Sequence, residues 1–140
     1  MPDIVVTDVI ASTIVKAIEG RDDLIDITTG NSNGRPLAVV LRHLENGRVF
    51  GGAMGLSSAG LLFLDSFFLP REFRGRGWGT KILKEFEDEG RRRGCRSAFL
   101  YTISFPDFYA RNGWMALGRI PSDPPGTFRA LMTKNLEASS

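Results

Sequence analysis

The 140-residue chain has little of the chemistry that most enzyme active sites draw on, with one cysteine and one histidine. Cys95 alone closes no internal disulfide and anchors no zinc site, and no carboxylate-rich cluster with ligand spacing accompanies it, so no metal is expected. A Ser-His-Asp or Cys-His mechanism would rest on His43, which reads as a surface residue of a hairpin strand. Long apolar runs are also missing. Uncharged apolar runs such as Leu61 to Leu64 are far short of the ~20 residues of a membrane span, which excludes a membrane partner. Met1-Pro2-Asp3 lacks a basic, then apolar, leader, so a cytoplasmic location is expected. Neither sign of charge dominates, with 18 Lys+Arg against 16 Asp+Glu. This argues against a nucleic-acid partner. At 42% apolar and 24% charged residues the chain is neither disordered nor fibrous, and its length suits a single domain spanning residues 1–140.

Hydrophobic periodicity supplies the order of elements. Ile4 to Thr7 reads as a short strand, and Val9, Ile10, Ile14, Val15 and Ile18 as one face of a helix ending at Gly20. Gly30 to Gly34 is a loop. Leu37–Leu44 and Arg48–Leu56 read as strands joined by a tight Glu45-Asn46-Gly47 turn, and a turn at Ser57–Gly60 leads into a strand over Leu61–Leu69. Ile82, Leu83, Phe86 and Gly90 then follow helical spacing up to Gly94, with Arg91, Arg92 and Arg93 opposing the helix dipole in the last turn. A buried strand over Ser97–Ile103, a short helix over Pro106–Asn112, strands over Met115–Ile120 and Phe128–Leu136, and a stiff loop over Pro121–Gly126 complete the reading. The fold class is α/β (α+β): a mixed, mostly antiparallel sheet flanked by helices, with one right-handed parallel βαβ crossover between the strands at 61–69 and 97–103.

The informative segment joins that strand to its helix: Phe67-Phe68-Leu69-Pro70-Arg71-Glu72-Phe73-Arg74-Gly75-Arg76-Gly77-Trp78-Gly79-Thr80. Glycines at alternate positions remove side chains where a backbone must approach a ligand. The helix start offers free N–H groups and about half a positive charge, to which Arg74 and Arg76 add, so a phosphate or pyrophosphate is expected there. A Walker loop requires Gly-Lys before Ser or Thr, which Gly79-Thr80-Lys81 is not, and a dinucleotide fingerprint requires an acid near Tyr101–Ser104, where there is none. The spacing Arg74-x-x-Gly77-x-Gly79 after an apolar strand is that of acyl-CoA binding. Nearby Arg91, Arg92, Arg93 and Arg96 offer a competing reading as an RNA surface.

With the second motif Phe108-Tyr109-Ala110-Arg111-Asn112-Gly113-Trp114, the stretch from Leu61 to Trp114 resembles the GNAT superfamily of N-acetyltransferases. Pro124-Pro125-Gly126-Thr127-Phe128-Arg129 resembles a loop of small bacterial members, and the likeness extends over Pro36–Leu136. The resemblance implies an acetyl-CoA-dependent N-acetyltransferase that transfers acetyl to a primary amine by direct attack in a ternary complex. The acceptor would be a small molecule or a protein or peptide amine. It implies that Phe67, Phe68, Leu69, Arg74, Gly75, Arg76, Gly77, Trp78, Gly79 and Thr80 bind acetyl-CoA. The backbone of Phe67 to Leu69 would pair with the pantetheine arm, and the N–H groups of Gly75 to Thr80 would hold the pyrophosphate, with Trp78 packing beside them. A bulge near Asp65 or Ser66 would open the strands; Asp65 is the candidate base and Tyr109 the candidate acid. A non-catalytic acyl-CoA sensor is the alternative. Free strand edges near the C-terminus make a homodimer an expectation, and Asp22, Asp23, Asp26 and Glu45 are available to attract a cationic amine.

Overall fold

The computed structural model describes residues 2–18, 34–102 and 106–137. By its contacts the chain divides into two units, residues 1–32 and 33–140. In the first, Ser12–Ile18 forms helix α1. The strand expected at Ile4–Thr7 is absent, and Ile4, Val5 and Val6 are exposed. The β-preference of a branched run is realised only against a neighbouring strand, and none pairs with it. The expected helix end at Gly20, loop residues 30–33, the acids at 22, 23 and 26 and the strand residue at 103 lie outside the described residues.

The second unit is built on six strands: β1 (Arg35–Arg42), β2 (Val49–Ser58), β3 (Leu61–Phe68), β4 (Ser97–Thr102), β5 (Met115–Ser122) and β6 (Thr127–Asn135). Their order is β1-β2-β3-β4-β6-β5, and all neighbours are antiparallel except β3 and β4. Helix α2 (Trp78–Arg92) makes the crossover between that parallel pair, and α3 (Pro106–Arg111) follows β4. The expected mixed sheet with one parallel crossover is therefore the observed one.

Boundaries shift where local chemistry outweighs pattern. The first hairpin loop runs from His43 to Arg48, wider than the expected turn, because the His43 imidazole is used inside it. Nδ1 accepts the N–H groups of Glu45 (3.2 Å) and Asn46 (3.4 Å), and the ring meets Phe50 edge-on. At the other end, Pro121 and Ser122 belong to β5 and not to the loop. β5 is an edge strand, where proline costs no ladder bond.

The core lies between the sheet and α2. Leu62, Leu83, Phe86, Leu100, Met132 and Leu136 are fully enclosed. Gly90 lets the helix descend onto β3, since a Cβ there would stand 2.6 Å from Leu62 Cδ2. Cys95 is a buried free thiol whose pKa burial pushes up, as expected of a small core residue.

One charge sits in this apolar stripe. Glu87 is 3% exposed and accepts hydrogen bonds from Lys134 Nζ (2.6 Å) and Trp114 Nε1 (3.0 Å). It thereby ties α2 to the start of β5 and to β6. The arginines at the end of α2 are likewise engaged. Arg91 meets Asp88, Arg92 and Arg93 meet Glu89, and Arg96 meets Glu137. Each of these four arginines thus has a carboxylate beside it. Removing the Glu87 carboxylate strands a largely enclosed lysine. Glu87→Ala is expected to lower the unfolding free energy by about 3 kcal/mol in urea denaturation, toward the low end for a buried pair because Lys134 retains some solvent contact.

Candidate active site

β3 and β4 pair only at Leu61↔Ser97, Leu62↔Ala98 and Phe63↔Phe99. Beyond Phe63, β3 continues to pair with β2 on its other side, but the register jumps from Gly55↔Leu64 to Met54↔Ser66. Asp65 is therefore the extra residue of a β-bulge, and a bulge bends and twists its strand. The two parallel strands part here, and the backbone edge of residues 64–68 on the β4 side is left unpaired.

The chain leaves β3 through Leu69 and a 3₁₀ turn at Arg71–Phe73. Arg74 folds back, donating from Nε to the Leu69 carbonyl at 2.8 Å with its guanidinium over the Phe68 ring. Gly75 and Gly77 have φ of 75° and 83°, a region costly to residues with a Cβ, and a Cβ on either would meet nothing within 4 Å. These two glycines serve the turn itself; Gly79 instead packs on Phe108, whose ring carbons would lie 3.3 Å from an added Cβ. Gly77 is the N-cap of α2 and gives it no side-chain cap. Lys81 N–H is the first to close back, on Gly77 O at 3.1 Å. The N–H groups of Trp78, Gly79 and Thr80 precede that bond and remain available at the positive end of the helix dipole.

Opposite this loop stands Tyr109, 7% exposed. Its ring is held edge-on by Phe67, Phe108 and Trp114 at 5.2–6.4 Å, while its hydroxyl makes no hydrogen bond among the described residues. Desolvation pushes its pKa up to about 12.

A cleft of about 600 Å³ joins these parts. Asp65, Phe67, Phe68, Leu69, Arg74, Gly75, Gly77, Gly79, Thr80 and Tyr109 line it. Arg76 and Trp78 do not: Trp78 packs against the core, with Lys81 Nζ 5.0 Å from its ring centre. The Leu69 carbonyl, expected to serve a ligand, is already bound by Arg74. Glu45 is in the first hairpin loop and not on the cleft wall. Tyr101, Thr102, Phe108, Arg111 and Arg129 also line the cleft and escape the motif reading. Arg111 and Phe108 could have been found within the second motif itself.

Comparison with known proteins agrees with this geometry. Residues 11–118 match the acetyltransferase (GNAT) family. The chain belongs to the GNAT acetyltransferase family. This GNAT chain is similar to Acetyltransferase Atu2258 of Agrobacterium fabrum, at 34% identity over 122 residues, 83% of this chain and 86% of that one. It is also similar to the Blasticidin-S acetyltransferase of Streptomyces morookaense, at 32% over 107 residues, 73% and 79% of the two chains. A crystal structure of an acetyltransferase-family protein of Agrobacterium tumefaciens superposes with a TM-score of 0.75 at 31% identity, covering 96% of this chain and 99% of that one. A Bacillus cereus acetyltransferase at 21% identity, covering 89% and 93%, shares the fold with a TM-score of 0.73. This protein is accordingly an N-acetyltransferase. No described helix is long and apolar enough to cross a membrane, and no described cluster of side chains could hold a metal ion.

The position of Tyr109 has a consequence for pH. Its pKa in the folded chain, about 12, lies above the ordinary tyrosine value of 10.0, so the fold favours the neutral phenol. That contribution is fully present below about pH 10 and is lost as the pH rises towards 12. Spectrophotometric titration should reveal a tyrosine ionising near pH 12 that disappears in Tyr109→Phe.

Proposed function

We propose that this GNAT protein uses acetyl-CoA and transfers the acetyl group to a primary amine by direct attack in a ternary complex. The observation that carries the reading is the parting of β3 and β4 at the Asp65 bulge. It leaves an open strand edge that runs straight into the uncapped N-terminus of α2, with Tyr109 facing both. One relative is named for acetylating blasticidin S, and the acceptor is taken here to be a small-molecule amine.

Each part of the cleft fits one part of the co-substrate. The free edge at residues 64–68 suits an amide-bearing arm laid alongside as an added strand. The N–H groups at 78–80 and the turn at 75–77, where Gly75 and Gly77 carry no side chain, suit a pyrophosphate. Acetyl-CoA brings an acetyl group already activated as a thioester. The protein must therefore place the amine, take its proton and support the departing sulfur.

A primary amine is protonated at neutral pH, with an ordinary pKa near ~10. Asp65 projects from the bulge into the cleft, where its carboxylate accepts that proton directly or through water. Tyr109 holds its proton firmly. A phenol at about 12 is well above an ordinary thiol at ~8.5, so full transfer to the departing sulfur is uphill. Its role is then a hydrogen bond donated to sulfur as charge gathers there, from a buried site where such a bond is strong. This refines the general-acid role expected from the motif.

Free thiol release from acetyl-CoA in the presence of an amine panel tests the reading. Tyr109→Phe should lower kcat by roughly 10- to 100-fold, the worth of one hydrogen bond to a charged group, with the KM for acetyl-CoA little changed. Asp65→Asn should cost about 100-fold in kcat/KM, the lower end for a general base. Tight CoA binding with no release on any amine would favour a sensor instead.

A further inference from the structure

The cleft contains a cation that neither the loop nor Tyr109 explains. Six basic side chains around α2, Lys84, Arg91, Arg92, Arg93, Arg96 and Lys134, are each matched to a carboxylate. Arg129 is not. It is only half-buried and lines the cleft, yet no acid among the described residues approaches it, and its interaction is with the ring of Tyr101, whose centre lies 5.5 Å from the guanidinium carbon. An arginine laid on an aromatic face has its plane fixed while the N–H edge stays open for a planar anion.

The platform beneath it is firm. Tyr101 pairs across β4–β6 with Leu131, two residues from Arg129, and stacks on Phe63, which stacks on Phe99. Phe63 and Phe99 are the last paired residues before β3 and β4 part. The guanidinium is therefore anchored to both strands at the apex of the opening.

Burial alternates along β3. Leu62 and Leu64 are buried on the α2 side, and Leu61, Phe63 and Asp65 face the other way. Tyr101 is 47% exposed and lies next to Leu100, which is buried in the core. Asp65 and Arg129 thus belong to the sheet face turned away from α2. The anion-binding N–H groups belong to α2 itself, and Tyr109 packs on Trp114, which is bonded to Glu87 of that helix. The phosphate site and Arg129 are on different sides of the opening.

We propose that Arg129 binds an anionic group of the acceptor, so that the substrate is an amine that also carries a carboxylate or a phosphate, with its ammonium directed to Asp65. This rests on amine acetylation as proposed above and adds the class of amine. Both anions offer a pair of oxygens that the two arms of a guanidinium fork engage.

Matched acceptors separate the possibilities: an α-amino acid against its carboxamide, and a phosphoalkylamine against the parent alkylamine, each followed by free thiol release. The expected result is a kcat/KM at least about tenfold higher for one anionic member than for its neutral partner, the factor carried by a charge-assisted hydrogen-bond pair. The pair that shows the preference identifies carboxylate or phosphate. Arg129→Gln should erase that preference by raising the acceptor KM, leave the neutral acceptor and the KM for acetyl-CoA unchanged, and be partly rescued by Arg129→Lys. Equal turnover of both members, indifferent to Arg129→Gln, would overturn this inference and leave amine acetylation standing. A rise confined to the KM for acetyl-CoA would assign Arg129 to the co-substrate and overturn it as well. Absence of thiol release with every amine would remove both readings.

Discussion

Strand β3 is held on both sides for its first three residues and on one side only for the rest, and the functional architecture depends on that change. An extra residue at position 65 breaks the β2–β3 register between Gly55 and Met54. The parallel ladder to β4 stops at Phe63↔Phe99. In a closed sheet the backbone groups of residues 64–68 would find partners in β4. Here they face a cleft, where water or a ligand must satisfy them. An edge of this kind normally invites association with another chain. In this protein it lies inside the sheet, beside the aromatic rings of the cleft wall.

The second requirement is that the loop, the cleft and Tyr109 keep their relative positions. The core beneath α2 achieves this through Leu83, Phe86 and Gly90, which seat the helix on β3, and through Glu87, which binds Trp114 and Lys134. Trp114 in turn packs against Tyr109, and Tyr109 against Phe67 at the open edge. A continuous set of contacts thus leads from α2 to the phenol and to the strand. A buried carboxylate adds little net stability when fully paired. Its use here is geometric, fixing how far α2, β5 and β6 stand from one another.

Much of this was legible in the amino-acid sequence, for reasons that differ by region. The period change from β3 to α2, the glycines at 75, 77 and 79, and the Phe108–Trp114 motif are local signals, and the fold follows them closely. The bulge was legible only to within a residue, since a register shift depends on the partner strand. The β-branched run at 4–7 misleads because strand preference needs a neighbour to act on. The arginines at 91–96 look like a basic patch in sequence, but Asp88, Glu89 and Glu137 neutralise them. Arg129 is the converse case: it closes the Pro124–Arg129 stretch, but nothing in that stretch tells that it lines the cleft. Its place beside Tyr101, near the point where β3 and β4 part, comes from the β4–β6 register.

If the open edge of β3 and the uncapped start of α2 together form the acetyl-CoA site, as proposed, both respond to that ligand at once. Amide hydrogen exchange with and without acetyl-CoA tests it most directly. The amides of residues 64–69 and 75–80 should slow together on addition of acetyl-CoA, while those of β1 and of the first hairpin loop do not change. Protection confined to other segments, or none at saturating acetyl-CoA, would contradict it.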